Sequence, residues 1–116
     1  MNIRKGFVSS IDPAAGMISV YYSDRENTTG LLPMIANGIY KMPQIGDEVI
    51  VLHFSDDESD GVVLGTLWNG AVEPPATACE VFFYELEKNK AYIKYDSRTG
   101  VMTVKAPVVN IVEGEE

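Results

Sequence analysis

The side chains best suited to chemistry lie in one acidic run, Asp56-Asp57-Glu58-Ser59-Asp60-Gly61. Acidic residues at its first, third and fifth positions, with Gly at the sixth, match the start of a calcium-binding loop. The twelfth position, where such a loop needs a bidentate Glu, is Leu67, and the flanking residues are β-forming rather than helical. Adjacent carboxylates on one loop also lack the fixed separation that a glycosidase needs. We therefore predict a solvated loop that holds no metal and performs no catalysis.

The other reactive side chains are one histidine and one cysteine. A single His argues against zinc sites built on His pairs and against a Ser-His-Asp triad with a spare base. His53 lies between Leu52 and Phe54 in an apolar run, so we expect it to line the core or an interface. Cys79 cannot form an internal disulfide, and we expect a half-buried thiol. Because no nucleotide-binding glycine pattern is present either, we predict a protein that is not an enzyme and uses no cofactor.

The charge balance argues against polyanionic partners. Acidic residues number 17 and basic residues 9, which gives a net charge of −8, and the basic residues are scattered along the chain. Proteins that bind nucleic acid normally carry a basic patch, so we predict no nucleic acid partner, and anionic membranes are disfavoured by the same repulsion. No apolar stretch approaches the roughly 20 residues of a membrane span, and no signal peptide is recognisable. We therefore expect synthesis in the cytoplasm.

The acidic run joins two β-forming segments, Glu48–Phe54 and Gly61–Leu67, and this arrangement predicts a β-hairpin. Its loop, Ser55–Asp60, is longer than a two-residue turn, so we expect a projecting tip. Gly46-Asp47 supplies a turn before the first segment, and Pro43 cannot donate a hydrogen bond to a sheet there. We expect the remaining strands to pack against this hairpin.

Three more strands are predicted before the hairpin, over Arg4–Ile11, Gly16–Tyr22 and Leu31–Ile35. Five short strands with one long connection favour an all-β fold in which residues 1–70 form a five-stranded OB-type barrel. A closed barrel would also protect the edge strands. A small sandwich or an SH3-like barrel fits the same pattern.

The composition changes after Asn69. Residues 71–79 are rich in Pro and Ala and predict a linker, and residues 80–116 predict a second β region. Its strands are expected as a meander over Glu80–Leu86, Ala91–Tyr95, Val101–Lys105 and Val108–Val112. Such a short meander cannot enclose its own core, because chains below about 40 residues usually need disulfides, metals or partners. It must pack on the barrel or share a core with other copies, and we favour oligomerisation.

The hairpin and its flanks carry an ordered motif. It begins as Pro43-Gln44-Ile45-Gly46-Asp47-Glu48-Val49 and ends as Gly61-Val62-Val63-Leu64-Gly65-Thr66-Leu67-Trp68-Asn69. This motif resembles that of the phage baseplate assembly protein V family, which includes the spike proteins of contractile tails and the matching OB-fold domain of type VI secretion spikes. The resemblance implies a structural role for seven motif positions, which are Pro43, Gly46, Asp47, Gly61, Gly65, Trp68 and Asn69.

The resemblance implies an OB barrel followed by a short C-terminal β-meander or β-helix spike that assembles as a homotrimer. The implied function is structural: a central spike or hub beneath the tail tube of a phage, a tailocin or another injection particle, which supports baseplate assembly and envelope piercing. The apolar residues of the second region that we expect at the trimer interface are Phe83, Tyr92, Ile93, Tyr95, Val101, Val104, Val109 and Ile111.

The same resemblance implies baseplate and tail-tube hub proteins as partners. The long β-helix and the iron-binding tip of longer family members are missing from this sequence, so a separate tip-capping protein is a further expected partner. No stable membrane insertion is expected before piercing. The protein would be made in the bacterial cytoplasm and then assembled into the virion or phage-like tail particle.

An alternative function is that of an OB-fold binding module for an oligosaccharide or a single-stranded nucleic acid. This alternative predicts exposed aromatic residues near a basic groove, for which Tyr21, Tyr22 and Tyr40 are candidates. The acidic balance of the chain disfavours a polyanion as the ligand.

Overall fold

The computed structural model describes residues 1–114, and all regular structure in this range is β-strand. The strands are β1 (Asn2–Asp12), β2 (Met17–Tyr22), β3 (Asn27–Thr28), β4 (Leu32–Pro33), β5 (Glu48–His53), β6 (Gly61–Thr66), β7 (Val81–Glu87), β8 (Ala91–Asp96) and β9 (Val101–Lys105). The prediction of an all-β protein is confirmed. In the same range, no helix is present that could span a membrane.

The chain divides into two compact units. Unit 1 spans Met1–Val72, and unit 2 begins at Glu73. The buried hydrophobic side chains of the described residues all lie in unit 1, and they are Val8, Ile18, Val20, Tyr22, Leu32, Val49, Val51 and Val63. By contrast, no residue among 73–114 is buried. The hydrophobic core of the described residues therefore lies in unit 1.

Strands β1 to β6 form one sheet in unit 1, in the order β3-β2-β1-β5-β6, with β4 paired to β2. The long strand β1 is central, because it pairs with β2 on one side and β5 on the other. In β5, Val49, Val51 and His53 are buried and the residues between them are half-buried. This two-residue period is that of a strand with one face on the core.

The closed five-stranded barrel is not formed. The sheet has six strands, because Asn27–Thr28 pairs as β3 and the predicted strand at Leu31–Ile35 pairs with β2 only at Leu32–Pro33. Pro33 has no N–H to donate, which limits the length of β4. A single parallel bridge between Met34 and Val63 joins this side of the sheet to β6. No continuous ladder closes the sheet within residues 1–114.

Strands β7, β8 and β9 form a second antiparallel sheet in that order. The first connection contains Asn89 with a φ of +62°, and the second contains Gly100 with a φ of +74°. The strand predicted over Val108–Val112 is wrong: these residues are exposed and make no ladder. Pro107, just before them, has no N–H to donate, and the second sheet ends at β9 within the described residues. Cys79, which we expected to be half-buried, is exposed.

The connection between β8 and β9 is held by an ion pair. Asp96 Oδ1 accepts hydrogen bonds from Arg98 N and Nε, both at 3.0 Å, and Oδ2 accepts one from Arg98 Nη2 at 2.9 Å. These hydrogen bonds hold the pKa of the Asp96 carboxyl below its usual value. The contacts set the geometry of an exposed turn and create no reactive group.

Candidate functional site

The family motif begins with a turn that attaches β5 to β1. Gly46 has a φ of +92°, a left-handed conformation that Gly adopts without a steric penalty. Gln44 N donates to Asp47 Oδ2 at 2.9 Å, and Asp47 N donates to Gln44 O at 3.0 Å. Backbone hydrogen bonds of 2.9 Å from Gly46 N to Val8 O and from Val8 N to Asp47 O join this turn to β1. Pro43 is buried just before it.

Two glycines of the motif shape the ladder between β5 and β6. Gly61 is buried, and a Cβ at this position would lie 2.5 Å from Leu52 O and 3.2 Å from His53 Cα. Any larger residue would therefore force the two strands apart. Gly65 pairs with Ile50 beside a register shift, where β6 contains an extra residue. Both glycines serve strand pairing rather than a reactive site.

The motif ends at Trp68 and Asn69. Asn69 Oδ1 accepts hydrogen bonds from Ala71 N at 2.9 Å and from Val72 N at 2.8 Å, which stabilises the turn at the end of unit 1. Trp68 is 62% exposed and contributes little to the core. Its ring surface is therefore available to another protein, and Trp is among the residues enriched at protein interfaces.

The acidic loop between β5 and β6 is fastened to unit 1 and does not project freely. Glu58 accepts hydrogen bonds from Arg25 Nη1 at 2.8 Å and from Asn27 Nδ2 at 2.6 Å. Ser55, Asp56, Asp57, Ser59 and Asp60 are exposed, as predicted for a solvated tip, and only Glu58 is half-buried. The prediction that the tip projects is wrong, because Glu58 binds Arg25 in the connection between β2 and β3 and Asn27 in β3. In residues 1–114, no group of three or more His, Cys, Asp and Glu side chains is arranged to hold a metal ion.

A buried polar pair joins β2 to β5. Tyr22 OH and His53 Nε2 lie 2.6 Å apart, and both residues are at most 2% exposed. Burial raises the pKa of the Tyr22 hydroxyl. The tautomer of His53 decides which of the two groups donates the hydrogen bond. The Arg4 guanidinium lies 4.3 Å from the centre of the Tyr22 ring and binds both carboxylate oxygens of Asp24. Tyr22 is therefore a core residue and not the exposed aromatic that the alternative function required.

One face of the sheet in unit 2 carries two consecutive rows of apolar and aromatic residues. In antiparallel strands, directly opposite residues lie on the same face. One row across the three strands contains Phe82, Tyr95 and Met102, and the next contains Tyr84, Ile93 and Val104. We call these six residues the apolar face. Tyr84 is half-buried, and the other five are between 38% and 67% exposed. A contiguous apolar surface of this kind typically marks an interaction site.

The opposite face of the same sheet, which we call the mixed face, carries both charged and apolar residues. Its rows contain Val81, Asp96 and Val101, then Phe83, Lys94 and Thr103, then Glu85, Tyr92 and Lys105. The Phe83 and Tyr92 rings stack with their centroids 4.7 Å apart. Residues 75–78 line a cavity of about 210 Å³ together with Val81, Phe83 and Lys94. The mixed face is therefore partly covered by its own unit.

The strand register divides the predicted trimer-interface residues into three groups. Those on the apolar face are Ile93, Tyr95 and Val104. Those on the mixed face are Phe83, Tyr92 and Val101. Val109 and Ile111 lie beyond β9 and are 53% and 89% exposed.

Sequence reasoning did not select Phe82, Tyr84 and Met102, which belong to the apolar face. The alternation of β8 and β9 was visible in the sequence, but every residue of β7 from Val81 to Tyr84 is apolar or aromatic. The sequence of such a run does not indicate which residues share a face. The pairing of Phe82 with Tyr95 and of Tyr84 with Ile93 supplies that information.

The comparison with known families concerns the hairpin and the segment before it. Residues 35–68 match the model of the type VI secretion system/phage-baseplate injector OB domain. The family indicated by the motif is confirmed. The injector OB domain match begins shortly after β4, contains β5 and β6, and ends at Trp68. It covers less than a third of the chain and supports a structural role related to the baseplate. No curated protein sequence matches the chain.

Proposed function

We propose that this protein is the central spike or hub of a contractile tail or a related injection particle, built from three copies that associate through the sheet of unit 2. The apolar face is the observation that carries the proposal. The injector OB domain match at residues 35–68 supports the kind of particle. The apolar face gives the chain a physical reason to associate.

The described part of unit 2 has no buried core of its own. Among residues 73–114 no side chain is buried, although the sheet carries two full rows of apolar residues on one face. Complete burial of a large apolar side chain contributes about 1.5–3 kcal/mol. Copies that pack their apolar faces around a common axis would create the core that one copy lacks. A three-fold arrangement closes on itself, so the assembly would stop at a defined size.

The two units would then have different tasks in the particle. Unit 1 would contact baseplate and tail-tube hub proteins, for which the exposed Trp68 is a candidate contact. Unit 2 would form the trimeric spike that supports envelope piercing, with a separate protein capping its tip. Assembly into the virion or phage-like particle would follow synthesis in the bacterial cytoplasm. The carboxylates of the acidic loop would have a structural role and no catalytic one.

The mass in solution tests this proposal. Light scattering after size-exclusion chromatography should give about three times the chain mass of 12.7 kDa at micromolar concentration. A wild-type protein that is strictly monomeric under these conditions would overturn the trimer.

A matched pair of variants tests which face associates. Val104 and Val101 lie on the same strand, are both 56% exposed, and face opposite sides of the sheet. Val104→Lys puts a charge on the apolar face and should convert the trimer to monomers. Val101→Lys puts the same charge on the mixed face and should leave the trimer intact. If Val101→Lys dissociates the protein and Val104→Lys does not, the apolar face is not the interface.

A further inference from the structure

An open groove of about 550 Å³ is lined entirely by residues of unit 1. Three of the nine basic residues of the chain, Arg4, Lys5 and Arg25, line it, although the net charge of the protein is −8. Asp24 and Glu48 line the same groove, and Phe7 supplies an aromatic surface. We propose that this groove binds a neutral oligosaccharide.

The mixture of charges selects the class of ligand. Lys and Arg are hydrogen-bond donors only, and ionised carboxylates are acceptors only. A sugar hydroxyl both donates and accepts, so it can use Lys5 or Arg25 and also Asp24 or Glu48. A polyphosphate could use only the basic residues and would be repelled by the two carboxylates. The same repulsion applies to an acidic peptide.

The aromatic residue provides a platform for a sugar ring. Phe7 is 41% exposed although it lies on the central strand β1, and it pairs with Tyr21, which is 36% exposed. The apolar C–H face of a pyranose ring can pack on such an aromatic surface, while its hydroxyls reach the polar groups around it. The side chains of Asn2 and Ser23 add neutral polar groups to the groove.

Two of the basic side chains are held in place before any ligand binds. Arg4 is bound to Asp24 and packed on the Tyr22 ring, and Arg25 is bound to Glu58. A guanidinium carries five N–H donors, so these contacts leave donor capacity for a ligand. Fixed side chains lose less conformational entropy on binding, which favours affinity.

Nuclear magnetic resonance titration of the full chain tests the inference. The probes are maltohexaose, chitohexaose and the single-stranded DNA dodecamer (dT)12. At least one of the two oligosaccharides should shift the backbone amide signals of Lys5, Phe7 and Ser23 and saturate with a Kd of about 1 mM or lower. The groove lies within unit 1, so this result does not depend on the trimer.

Variants locate the binding and separate it from effects on the fold. Phe7→Ala should weaken binding about tenfold, as expected when an aromatic stacking contact is removed. Leu64→Ala is the matched control, because Leu64 is 42% exposed and does not line the groove, and its Kd should be unchanged. Glu48→Gln keeps the shape of the side chain and should also weaken binding, even if Phe7→Ala fails to fold.

Three outcomes would overturn the inference. The first is that neither oligosaccharide shifts the groove signals at concentrations up to about ten times the expected Kd. The second is that (dT)12 binds more tightly than both sugars with a steep salt dependence, which would assign the groove to a polyanion. The third is that Leu64→Ala and Phe7→Ala weaken sugar binding equally, which would place the ligand elsewhere.

Discussion

At the scale of single residues, the Tyr22–His53 pair links β2 and β5 inside the core. Tyr22→Phe removes the hydrogen bond to His53 Nε2, and His53 Nδ1 is already buried without a hydrogen-bond partner in the described structure. Because a buried polar atom loses its partner, we expect the free energy of unfolding to fall by about 1–3 kcal/mol. Urea unfolding followed by circular dichroism measures this change.

The difference in the free energy of unfolding between the wild type and Tyr22→Phe should depend on pH. Burial raises the pKa of Tyr22 above its value of 10.0 in an unfolded chain, so the unfolded state loses the proton first as the pH rises. The stabilisation by Tyr22 is therefore complete below pH 10 and is lost as the pH rises through the folded-state pKa. The stability difference between wild type and Tyr22→Phe should shrink above about pH 10. The control Tyr21→Phe, at a half-exposed position, should change stability by less than about 0.5 kcal/mol. If Tyr22→Phe and Tyr21→Phe lower the free energy of unfolding by the same amount, the Tyr22–His53 hydrogen bond does not stabilise the core.

At the scale of secondary-structure elements, the hairpin of β5 and β6 depends on close strand approach at Gly61. A Cβ there would lie 2.5 Å from Leu52 O, which belongs to the backbone and cannot rotate away. We expect Gly61→Ala to destabilise unit 1 by about 1–3 kcal/mol, the usual cost of overpacking, with a lower urea midpoint. Gly70→Ala is the matched control, because a Cβ at Gly70 meets no atom within 4 Å. If Gly61→Ala and Gly70→Ala have the same urea midpoint, β5 and β6 can move apart at Gly61 without a loss of stability.

Much of the hairpin of β5 and β6 could be predicted from the sequence. Strands β5 and β6 are short runs rich in β-branched and other apolar residues, and they are bounded by Gly, Pro and Asp, so local signals agree with the tertiary structure. Strands β3 and β4 have only two residues each, and their pairing to β2 depends on long-range contacts that a local pattern does not contain. For the same reason the sequence suggested a closed barrel where the sheet stays open.

The candidate site was predicted less completely than the fold. The family match over residues 35–68 spans the motif positions from Pro43 to Trp68, and Asn69 lies just beyond it. The contacts of Glu58 with Arg25 and Asn27 join residues more than thirty positions apart, and no local pattern indicates them. The division of unit 2 into an apolar and a mixed face required the register of three strands, because both Phe82 and Phe83 are apolar and only pairing separates them.

At the scale of the whole molecule, the two units differ in what holds them together. Unit 1 contains the buried hydrophobic side chains, whereas the described residues of unit 2 contain none. We therefore predict that removing residues 80–116 leaves a folded unit 1 that no longer forms trimers. The truncated protein should keep its β-type circular dichroism spectrum and unfold cooperatively, with the mass of a monomer in light scattering.

Concentration dependence gives this prediction a second, independent measurement. Association stabilises a folded state by mass action, so the Tm of the full chain should rise with protein concentration. The Tm of the truncated protein should stay constant over the same range, because its core is complete in one copy. A truncated protein that remains fully trimeric would show that unit 1 associates by itself. Trimerisation would then not depend on a core shared between copies of unit 2. A truncated protein that is unfolded would show instead that unit 1 needs unit 2 for its stability.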